Sequence, residues 1–456
     1  MIPDRFSWLL DPELPVVPLA KRFEENGHRL FLVGGSVRDA FLMRESPDFD
    51  FTTDARPNEI RAIVAGWADA LFEVGAAFGT IGVRKGEHHV EITTFRKEIY
   101  RDESRKPEVT FSDDIETDLS RRDFAVNAMA LELPTLRLID PYDGVKDLVA
   151  GVLRTPLAPQ VSFGDDPLRM MRMYRFQAQY GFTPDNAAET AAEKMVDRLD
   201  IVSPERIRDE LSKLLVAPRV AEGLEGITRS GLADHFLPEL SALLMEQDPV
   251  HKHKDVLAHT IAVVACTRAD LTLRLAALVH DIGKPTTRRF VDGGVTFHHH
   301  EVVGARMTKS RMTALRYPNG LIDDVSNLVF LHLRPHTLKM GWTDSAVRRY
   351  VRDAGHLLDE LNELVRCDVT TANWRRASRI QEGIDELEER IDRLAEQEEL
   401  QSIRPPIDGH EVMAILGIPP GPRVGEVMEM LLEKRLDDGP YSAEEAKRLV
   451  EEWGKD

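Results

Sequence analysis

Two aspartates separated by one residue are the first feature of the sequence that could do chemistry. Asp48 and Asp50 stand in DFDFTT (48–53), whose aromatic and β-branched residues predict a strand. Residues i and i+2 of a strand point to the same face, so the two carboxylates are expected side by side. They repel each other unless a cation lies between them, and hard oxygen ligands favour Mg²⁺. The pair therefore predicts a magnesium site for an in-line displacement at phosphorus.

Glu91, in the strand-like segment VEITTF, is a candidate third catalytic carboxylate on a neighbouring strand. An ordinary surface glutamate is the alternative, because glutamates are mostly exposed. For the aspartate pair, the alternative is an acidic strand face in solvent. That alternative explains the charge but not the aromatic residues that alternate with the aspartates.

Gly34 and Gly35 follow the strand-like segment RLFLV and precede Arg38. Glycine lets the backbone approach a ligand closely, and the amides of the next helical turn can hold an anion. Arg38 would add a fixed positive charge for a triphosphate. A tight turn between a strand and a helix is the alternative, since two adjacent glycines alone are a weak signal.

The segments GGSVRD and DFDFTT together resemble the first motif of class II tRNA nucleotidyltransferases, the family of the CCA-adding enzymes. That family shares its head fold with the polymerase β superfamily. The segment RRDFAVNA (121–128) resembles the family motif that holds the ribose and the phosphates of the nucleotide. The resemblance implies nucleotide binding by Arg121, Arg122, Asp123 and Asn127.

The segment DDPLR (165–169) resembles the family's EDxxR motif, with aspartate in place of the first glutamate. This departure leaves the two base-reading positions, Asp166 and Arg169, intact. One helical turn apart, they are expected on one helix face, where the carboxylate accepts from an exocyclic amine and the guanidinium donates to a ring acceptor. Cytosine and adenine offer that pattern, so CTP and ATP are selected without a template. Arg172 and Arg175 continue the face as further nucleotide-binding candidates, and an exposed basic helix is the alternative.

The stretch from Lys97 to Glu108 is charged and poor in apolar residues, which predicts a loop. In the family, this position carries a flexible loop needed for adding the terminal A. Relatives that add only CC have a shortened loop. The length of the stretch here favours addition of the complete CCA.

Histidines and aspartates in the second half of the chain form a second candidate metal site. One set resembles the H…HD…D residues of HD phosphohydrolases, and His300 and His332 could complete a second metal. Imidazole and carboxylate ligands suit a divalent transition metal. A lone histidine is usually structural, but an HD pair between apolar segments is not well explained in that way. The H…HD…D set consists of His259, His280, Asp281 and Asp368.

The composition indicates a multidomain globular protein with a basic stripe on an acidic body. A net charge of −19 argues against a nucleic-acid partner unless arginines cluster locally, as they do at Arg169, Arg172 and Arg175. Only two cysteines occur, Cys266 and Cys367. They lie far apart in the sequence, which excludes a disulfide scaffold and indicates the reducing cytoplasm. No apolar run could span a bilayer, and the first residues lack a signal-peptide pattern.

Strand-like and turn-like segments alternate over 30–150, and helical periodicity follows. We expect an α+β protein with a polymerase-β-like head, which contains a mixed sheet, and a mostly α-helical body that includes an HD domain. The expected domains are a nucleotidyltransferase head (1–150), a helical base-selecting and RNA-binding region (151–245), an HD domain (246–375) and a helical tRNA-binding tail (376–456).

The function expected from these features is Mg²⁺-dependent addition of CCA to tRNA from CTP and ATP, with no membrane partner. Within the same class, a CC-only enzyme, an A-only enzyme and a poly(A) polymerase remain open. From other classes, the alternatives are a protein that acts mainly as an HD phosphohydrolase and a non-catalytic RNA-binding protein. The resemblance of the HD residues implies phosphatase or 2′,3′-cyclic phosphodiesterase activity as a possible second function.

Overall fold

The computed structural model divides the chain into two compact units, Met1–Ser241 and Ala242–Asp456. The four domains expected from the sequence stay a prediction, since the two units show only one of the three expected boundaries, near residue 245. The structure describes residues 4–44, 48–73, 79–101, 104–245, 255–291, 294–335, 342–369, 374–398 and 403–455.

The first unit combines a mixed sheet with helices, as the sequence predicts. Its strands are β1 (Leu30–Val33), β2 (Asp48–Thr53), β3 (Ala70–Phe72), β4 (Thr80–Lys85), β5 (His88–Thr94), β6 (Arg96–Arg101), β7 (Ser104–Phe111), β8 (Ala130–Leu133), β9 (Arg137–Ile139), β10 (Val152–Leu153) and β11 (Thr183–Pro184). Its helices are α1 (Val16–Glu25), α2 (Gly35–Phe41), α3 (Pro57–Val64), α4 (Ile115–Ser120), α5 (Gly144–Ala150), α6 (Pro159–Asp165), α7 (Leu168–Tyr180), α8 (Asn186–Lys194), α9 (Pro204–Leu215), α10 (Val220–Arg229) and α11 (Pro238–Ser241).

Among the described residues, seven strands form one sheet in the order β3-β4-β5-β2-β1-β8-β9. Strand β2 lies near its centre, antiparallel to β1 and parallel to β5. The register of β2 with β5 places Asp50 directly opposite Glu91. A core of Phe31, Val33 and Phe95 packs against one end of this sheet. The sheet thus places β2 and β5, the two strands that carry the carboxylates, next to each other, and its apolar core is buried.

The stretch expected to be a loop forms an antiparallel hairpin of β6 and β7, in which Arg96 pairs with Phe111. Residues 102–103 at its tip lie outside the described residues. The expectation of a loop was wrong for these strands because a two-stranded hairpin needs backbone pairing but no buried apolar face. A proline in β7 is compatible with this arrangement, since an edge strand can lack one backbone donor.

The second unit is mostly helical. Its helices are α12 (Val256–Cys266), α13 (Leu271–Val279), α14 (Lys284–Thr287), α15 (His300–Ala314), α16 (Asn319–Leu331), α17 (Asp344–Ala354), α18 (Leu358–Cys367), α19 (Trp374–Glu398), α20 (Gly409–Leu416), α21 (Pro422–Asp438) and α22 (Ala443–Trp453), and its strands are β12 (Arg289–Val291) and β13 (Gly294–Thr296). Helices α20, α21 and α22 share a small core around Val412, Leu431 and Val450. Among the described helices, none is long and apolar enough to cross a membrane.

Cys266 and Cys367 form a disulfide, which corrects the expectation drawn from their distance in sequence. They are 101 residues apart in the chain, yet their Cα atoms lie 5.6 Å apart, inside the range of about 4.4–6.8 Å usual for a bridge. Each cysteine is the last residue of its helix, and α12 and α18 end side by side. The number of cysteines is therefore no argument here for a reducing compartment.

Candidate active site and metal cluster

The two aspartates of β2 and Glu91 of β5 form a group of carboxylates on the sheet. Burial raises the pKa of Asp50, and the neighbouring Asp48 raises it further, against the lowering effect of Arg122. Burial also raises the pKa of Glu91, with additional contributions from Asp50 and Asp48. A cation bound beside these oxygens would stabilise their charged forms and lower both pKa values. Carboxylate oxygens are the donors that a hard divalent ion such as Mg²⁺ prefers.

The start of α2 is hydrogen-bonded to β2, the strand that carries Asp48 and Asp50. Ser36 Oγ donates to the carbonyl oxygen of Asp48 at 3.3 Å and accepts from the backbone N–H of Asp50 at 3.2 Å. Gly34 has a φ of 68°, in the left-handed region. A Cβ atom at Gly34 would lie 2.7 Å from the NH1 atom of Arg122 and 3.7 Å from Oδ2 of Asp50. The missing side chain leaves room for the Arg122 guanidinium beside Asp50.

Arg38 is held by partners within the protein. Its guanidinium donates to both carboxylate oxygens of Asp39 at 2.9 Å and to Oδ1 of Asn127 at 2.7 Å. It also lies 4.5 Å from the centroid of the Tyr180 ring, a cation–π contact. Arg38 is 6% exposed and lines the cavity described below. A role in binding triphosphate stays a prediction, and any such ligand would meet a charge already shared with Asp39.

Two buried carboxylates hold the arginines of α7. Asp123 accepts from Asn127 Nδ2 at 2.9 Å and from Arg172 at 2.6 and 2.9 Å. Burial alone would raise the pKa of Asp123, but Arg172 holds it well below its usual range. Glu210 accepts from Arg175 Nε at 2.6 Å and from Arg172 at 3.4 Å. Glu210 was not among the predicted site residues. The sequence feature that could have identified it is its position as an acidic residue among the apolar, buried positions of α9.

Asp166 and Arg169 lie close together but not on one helix face. Asp166 stands in the link between α6 and α7, with extended backbone, whereas Arg169 is the second residue of α7. The helix begins only at residue 168 because Pro167 disfavours helical backbone at the residue before it. Arg206 of α9, not among the predicted site residues, donates to Asp166 at 2.7 Å. Arg169 donates to Ser162 Oγ at 2.8 Å and to the carbonyl oxygen of Arg121.

A cavity of about 720 Å³ connects Asp50 with the helix α7. It brings together all eleven of the nucleotide-binding candidates that the sequence predicts. Asp48 and Glu91 are neighbours of Asp50 on β2 and β5. Arg96, Gln179, Tyr180 and Arg206 also line this cavity and were not predicted. The predicted residues that line it are Gly34, Gly35, Arg38, Asp50, Arg121, Arg122, Asp123, Asn127, Asp166, Arg169, Arg172 and Arg175.

In the second unit, the six predicted HD residues meet in one buried cluster. They divide into two groups of three, and the ligand atoms of each group lie within 4.8 Å of one another. The H…HD…D pattern predicts Asp281 at the first metal, but the structure groups it with the second pair of histidines. The first group is His259, His280 and Asp368, and the second is Asp281, His300 and His332.

Three histidines of the cluster are oriented by backbone carbonyls. The Nδ1 atoms of His280, His300 and His332 lie 2.8, 2.8 and 2.6 Å from carbonyl oxygens three residues earlier. A carbonyl only accepts, so Nδ1 carries the proton and Nε2 points into the cluster. None of the three Nε2 atoms has a hydrogen-bond partner among the described residues. This is how metal-binding histidines are held by their surroundings.

Asp281 faces both groups of the cluster. Its Oδ2 lies 3.2 Å from Nε2 of His280, and its Oδ1 lies 3.4 Å from Nε2 of His300. Lys284, unrecognised in the sequence analysis, approaches Oδ2 at 2.5 Å. Asp281 therefore presents one carboxylate oxygen to each group. The histidine and carboxylate donors of the two groups would suit divalent transition-metal ions.

Electrostatics support this assignment of ligands. Burial lowers the pKa of His332 to about 3, so its imidazole is neutral and offers a lone pair. Burial would also lower the pKa of His280, but the carboxylates of Asp281 and Asp368 raise it to about 10. The two carboxylates therefore stabilise a positive charge at His280, which either a bound proton or a metal ion can supply.

Comparison with known proteins defines the class of this chain. Residues 30–154 match the poly A polymerase head domain, residues 181–244 match the probable RNA and SrmB-binding site of polymerase A, and residues 256–373 match the HD domain. Among solved structures, the Bacillus stearothermophilus CCA-adding enzyme in complex with CTP has a TM-score of 0.72 at 22% identity, over 99% of this chain and 98% of that one. That likeness shows the fold: a head with a mixed sheet and a helical body with an HD domain.

Two full-length relatives give the family. The A-adding tRNA nucleotidyltransferase of Deinococcus radiodurans is 34% identical over 93% of this chain and 95% of its own length. The CC-adding tRNA nucleotidyltransferase of Thermus thermophilus is 30% identical over 93% of each chain. The chain therefore belongs to the tRNA nucleotidyltransferase family.

Gly34→Ala should slow nucleotide addition by about tenfold or more, since the new Cβ displaces the Arg122 guanidinium beside Asp50 and small misplacements in a site are costly. The matched control is Gly27→Ala, where φ is also positive, at 79°, but nothing lies within 4 Å of the added Cβ. Both variants are compared by thermal melting and by incorporation of CTP into tRNA. Equal rates for the two variants would contradict this account of Gly34.

Asp281→Ala should remove both divalent ions from the second unit, whereas His300→Ala should remove one, because Asp281 faces both groups and His300 belongs to the second group. The measure is Mn²⁺ content after equilibrium dialysis, relative to the unsubstituted protein. His299→Ala serves as the control, since His299 is adjacent in sequence but exposed. Circular dichroism establishes that each variant is folded. Loss of a single ion in Asp281→Ala would show that Asp281 does not bridge.

Proposed function

We propose that this chain completes the 3′ end of tRNA by adding CCA from CTP and ATP without a nucleic-acid template. The observation that carries the proposal is one cavity that is lined by Asp50 and also by Asp166 and Arg169. A nucleoside triphosphate in this cavity would have its phosphates near the carboxylates and its base near α7. The two full-length relatives named above carry out the two halves of this reaction, CC addition and A addition.

The reaction class follows from the groups in the cavity. The 3′-hydroxyl of tRNA attacks the α-phosphorus of the nucleotide, a new phosphodiester bond forms, and pyrophosphate leaves with the electron pair of the broken bond. Asp48 and Asp50, with Glu91 beside them, would hold Mg²⁺. The bound Mg²⁺ would activate the hydroxyl and stabilise the leaving pyrophosphate. The arginines of the RRD segment, Arg121 and Arg122, face the same space and suit the phosphate oxygens.

The base-selecting role proposed for Asp166 and Arg169 requires an exchange of partners. Asp166 is paired with Arg206, and Arg169 is bonded to Ser162 and the Arg121 backbone. Cytosine and adenine can replace those bonds with an amine donor and a ring acceptor. Guanine and uracil would set a carbonyl against Asp166 and leave a buried group unpaired, at a cost of about 1–3 kcal/mol.

One incubation separates CCA addition from its alternatives. A tRNA transcript that lacks its last three nucleotides is supplied with Mg²⁺ and with CTP, ATP or both, and the products are sequenced. The proposal expects two C residues with CTP alone and complete CCA with both. A product that stops at CC with both nucleotides indicates a CC-only enzyme. Extension only of a transcript that already ends in CC indicates an A-only enzyme, and repeated A addition indicates a poly(A) polymerase.

Asp50→Asn should abolish nucleotide addition while tRNA affinity stays within a fewfold of the unsubstituted protein, because the amide cannot share a divalent cation with Asp48. The control is Glu87→Gln, which removes an exposed carboxylate from the β4–β5 turn of the same sheet. Addition is measured with labelled CTP, and tRNA affinity by filter binding. Near-normal addition by Asp50→Asn would refute the assignment of the cation site.

The HD cluster supports a second candidate activity, hydrolysis of phosphoesters by two transition-metal ions. The specific observation is the pair of three-ligand groups with Nε2 atoms directed inward. Asp281→Asn should remove hydrolysis of 2′,3′-cyclic CMP with Mn²⁺, Co²⁺ or Ni²⁺ and leave nucleotide addition within a fewfold, since the ligands of the two sites belong to different units. Loss of CCA addition in a folded Asp281→Asn variant would show that the sites are coupled. Absence of hydrolysis in the unsubstituted protein with all three metals would leave the cluster a structural role.

The cytoplasm is the compartment we propose, because tRNA, CTP and ATP occur there together. The disulfide is compatible with this proposal when Cys266 and Cys367 are reduced to two thiols under reducing conditions. Cys266 is exposed, so reductants can reach the bridge.

A further inference from the structure

Asp118 is a buried carboxylate beside the cavity to which none of the roles above applies. It lies on the short helix α4, and its side chain is fully buried. Burial raises the pKa of a carboxyl group, yet Arg121 and Arg122 hold the pKa of Asp118 below its usual value. A charge removed from water in this way persists only where its partners are fixed.

The carboxylate of Asp118 joins both arginines of the RRD segment to the sheet. Arg121 donates to Oδ1 through Nε at 3.0 Å and NH2 at 2.7 Å, and Arg122 NH2 lies 3.5 Å from Oδ2. The hydroxyl of Thr52, on the strand of Asp48 and Asp50, lies 3.4 Å from Oδ2 and donates to the carbonyl oxygen of Thr93 at 2.9 Å. The backbone N–H of Arg96, at the start of the β6–β7 hairpin, donates to Oδ1 at 3.4 Å.

Arg122 stands between two carboxylates, Asp118 and Asp50. Its charge acts on the pKa values of both. Its Nε atom is buried without a hydrogen-bond partner among the described residues. With the charge of Asp118 removed, Asp50 is a carboxylate on which the charge of Arg122 still acts. Arg122 would then compete with a divalent cation for Asp50.

We propose that Asp118 is a positioning residue for nucleotide addition. It holds Arg121 and Arg122 in the orientation that meets the triphosphate, and it keeps Arg122 from closing on Asp50. The proposal rests on the function proposed above and assigns Asp118 no contact with the substrate.

Asp118→Asn tests this role, because the amide keeps the shape of the side chain and removes its charge. We expect the KM for CTP and ATP to rise about tenfold or more, as for loss of a charge-assisted hydrogen bond. The Mg²⁺ concentration that gives half-maximal rate should rise severalfold, and kcat at saturating nucleotide and Mg²⁺ should stay near that of the unsubstituted protein. A merely structural role would lower the active fraction and hence kcat, without a change in KM or Mg²⁺ requirement.

Asp114→Asn is the matched control, since Asp114 caps the same helix with an exposed carboxylate that binds the amides of Glu116 and Thr117. Asparagine caps helices as well as aspartate does, so this variant should match the unsubstituted protein. In the double variant Asp118→Asn with Arg122→Gln, the Mg²⁺ requirement should return toward normal, because the competing guanidinium is gone. Such non-additivity is the mark of residues that act through each other.

A folded Asp118→Asn variant with normal KM and normal Mg²⁺ requirement overturns the proposal. If that variant does not fold, Arg122→Gln alone decides: the proposal expects a raised KM with an unchanged or lower Mg²⁺ requirement, and an unchanged KM overturns it. Inactivity of both the unsubstituted protein and Asp114→Asn would instead refute the proposed function, so the two failures are distinguishable.

Discussion

A carboxylate removed from water needs positive charge close by, and both candidate sites of this protein are built on that requirement. In the first unit, arginines supply this positive charge to Asp118, Asp123 and Glu210. Asp50 and Glu91 instead have raised pKa values, which a bound divalent ion would lower. In the second unit, Asp281 and Asp368 raise the pKa of His280, which favours a positively charged imidazole beside them. Asp50 and Glu91, whose pKa values remain raised, are among the carboxylates assigned to a metal ion.

Local patterns in the sequence predicted the chemistry because the relevant geometry is itself local. Alternation along a strand places Asp48 and Asp50 on one face, whereas the position of Glu91 opposite Asp50 depends on the register of β5 with β2. The HD pair follows the apolar helix α13, and His259 lies in the first turn of α12. The other companions lie at the ends of their helices, α15, α16 and α18. The prediction of a mixed-sheet head and a helical body was confirmed for the same reason, since periodicity is read within single elements.

Contacts between distant segments could not be predicted in this way. Arg206 pairs with Asp166 over 40 residues, and Cys266 bridges Cys367 over 101. The division of the HD ligands also depends on packing, because Asp281 is adjacent to His280 in sequence yet groups with His300. Gly283 makes that arrangement possible, since a Cβ there would lie 2.2 Å from the carbonyl oxygen of His300.

The ion pairs in the cavity bear on how an acidic chain can use anionic substrates. Arg172, Arg175 and Arg206 line the cavity, but each already bonds to Asp123, Glu210 or Asp166. A nucleotide therefore gains less from these charges than from free arginines, because each new contact replaces an existing one. The affinity for any nucleotide is therefore lower than free arginines would give. Selectivity between bases is kept, because only a base that forms hydrogen bonds with the side chains released from their ion pairs offsets the free energy lost in breaking those pairs. For an enzyme without a template, that distribution of charge favours discrimination between bases over tight binding of any triphosphate.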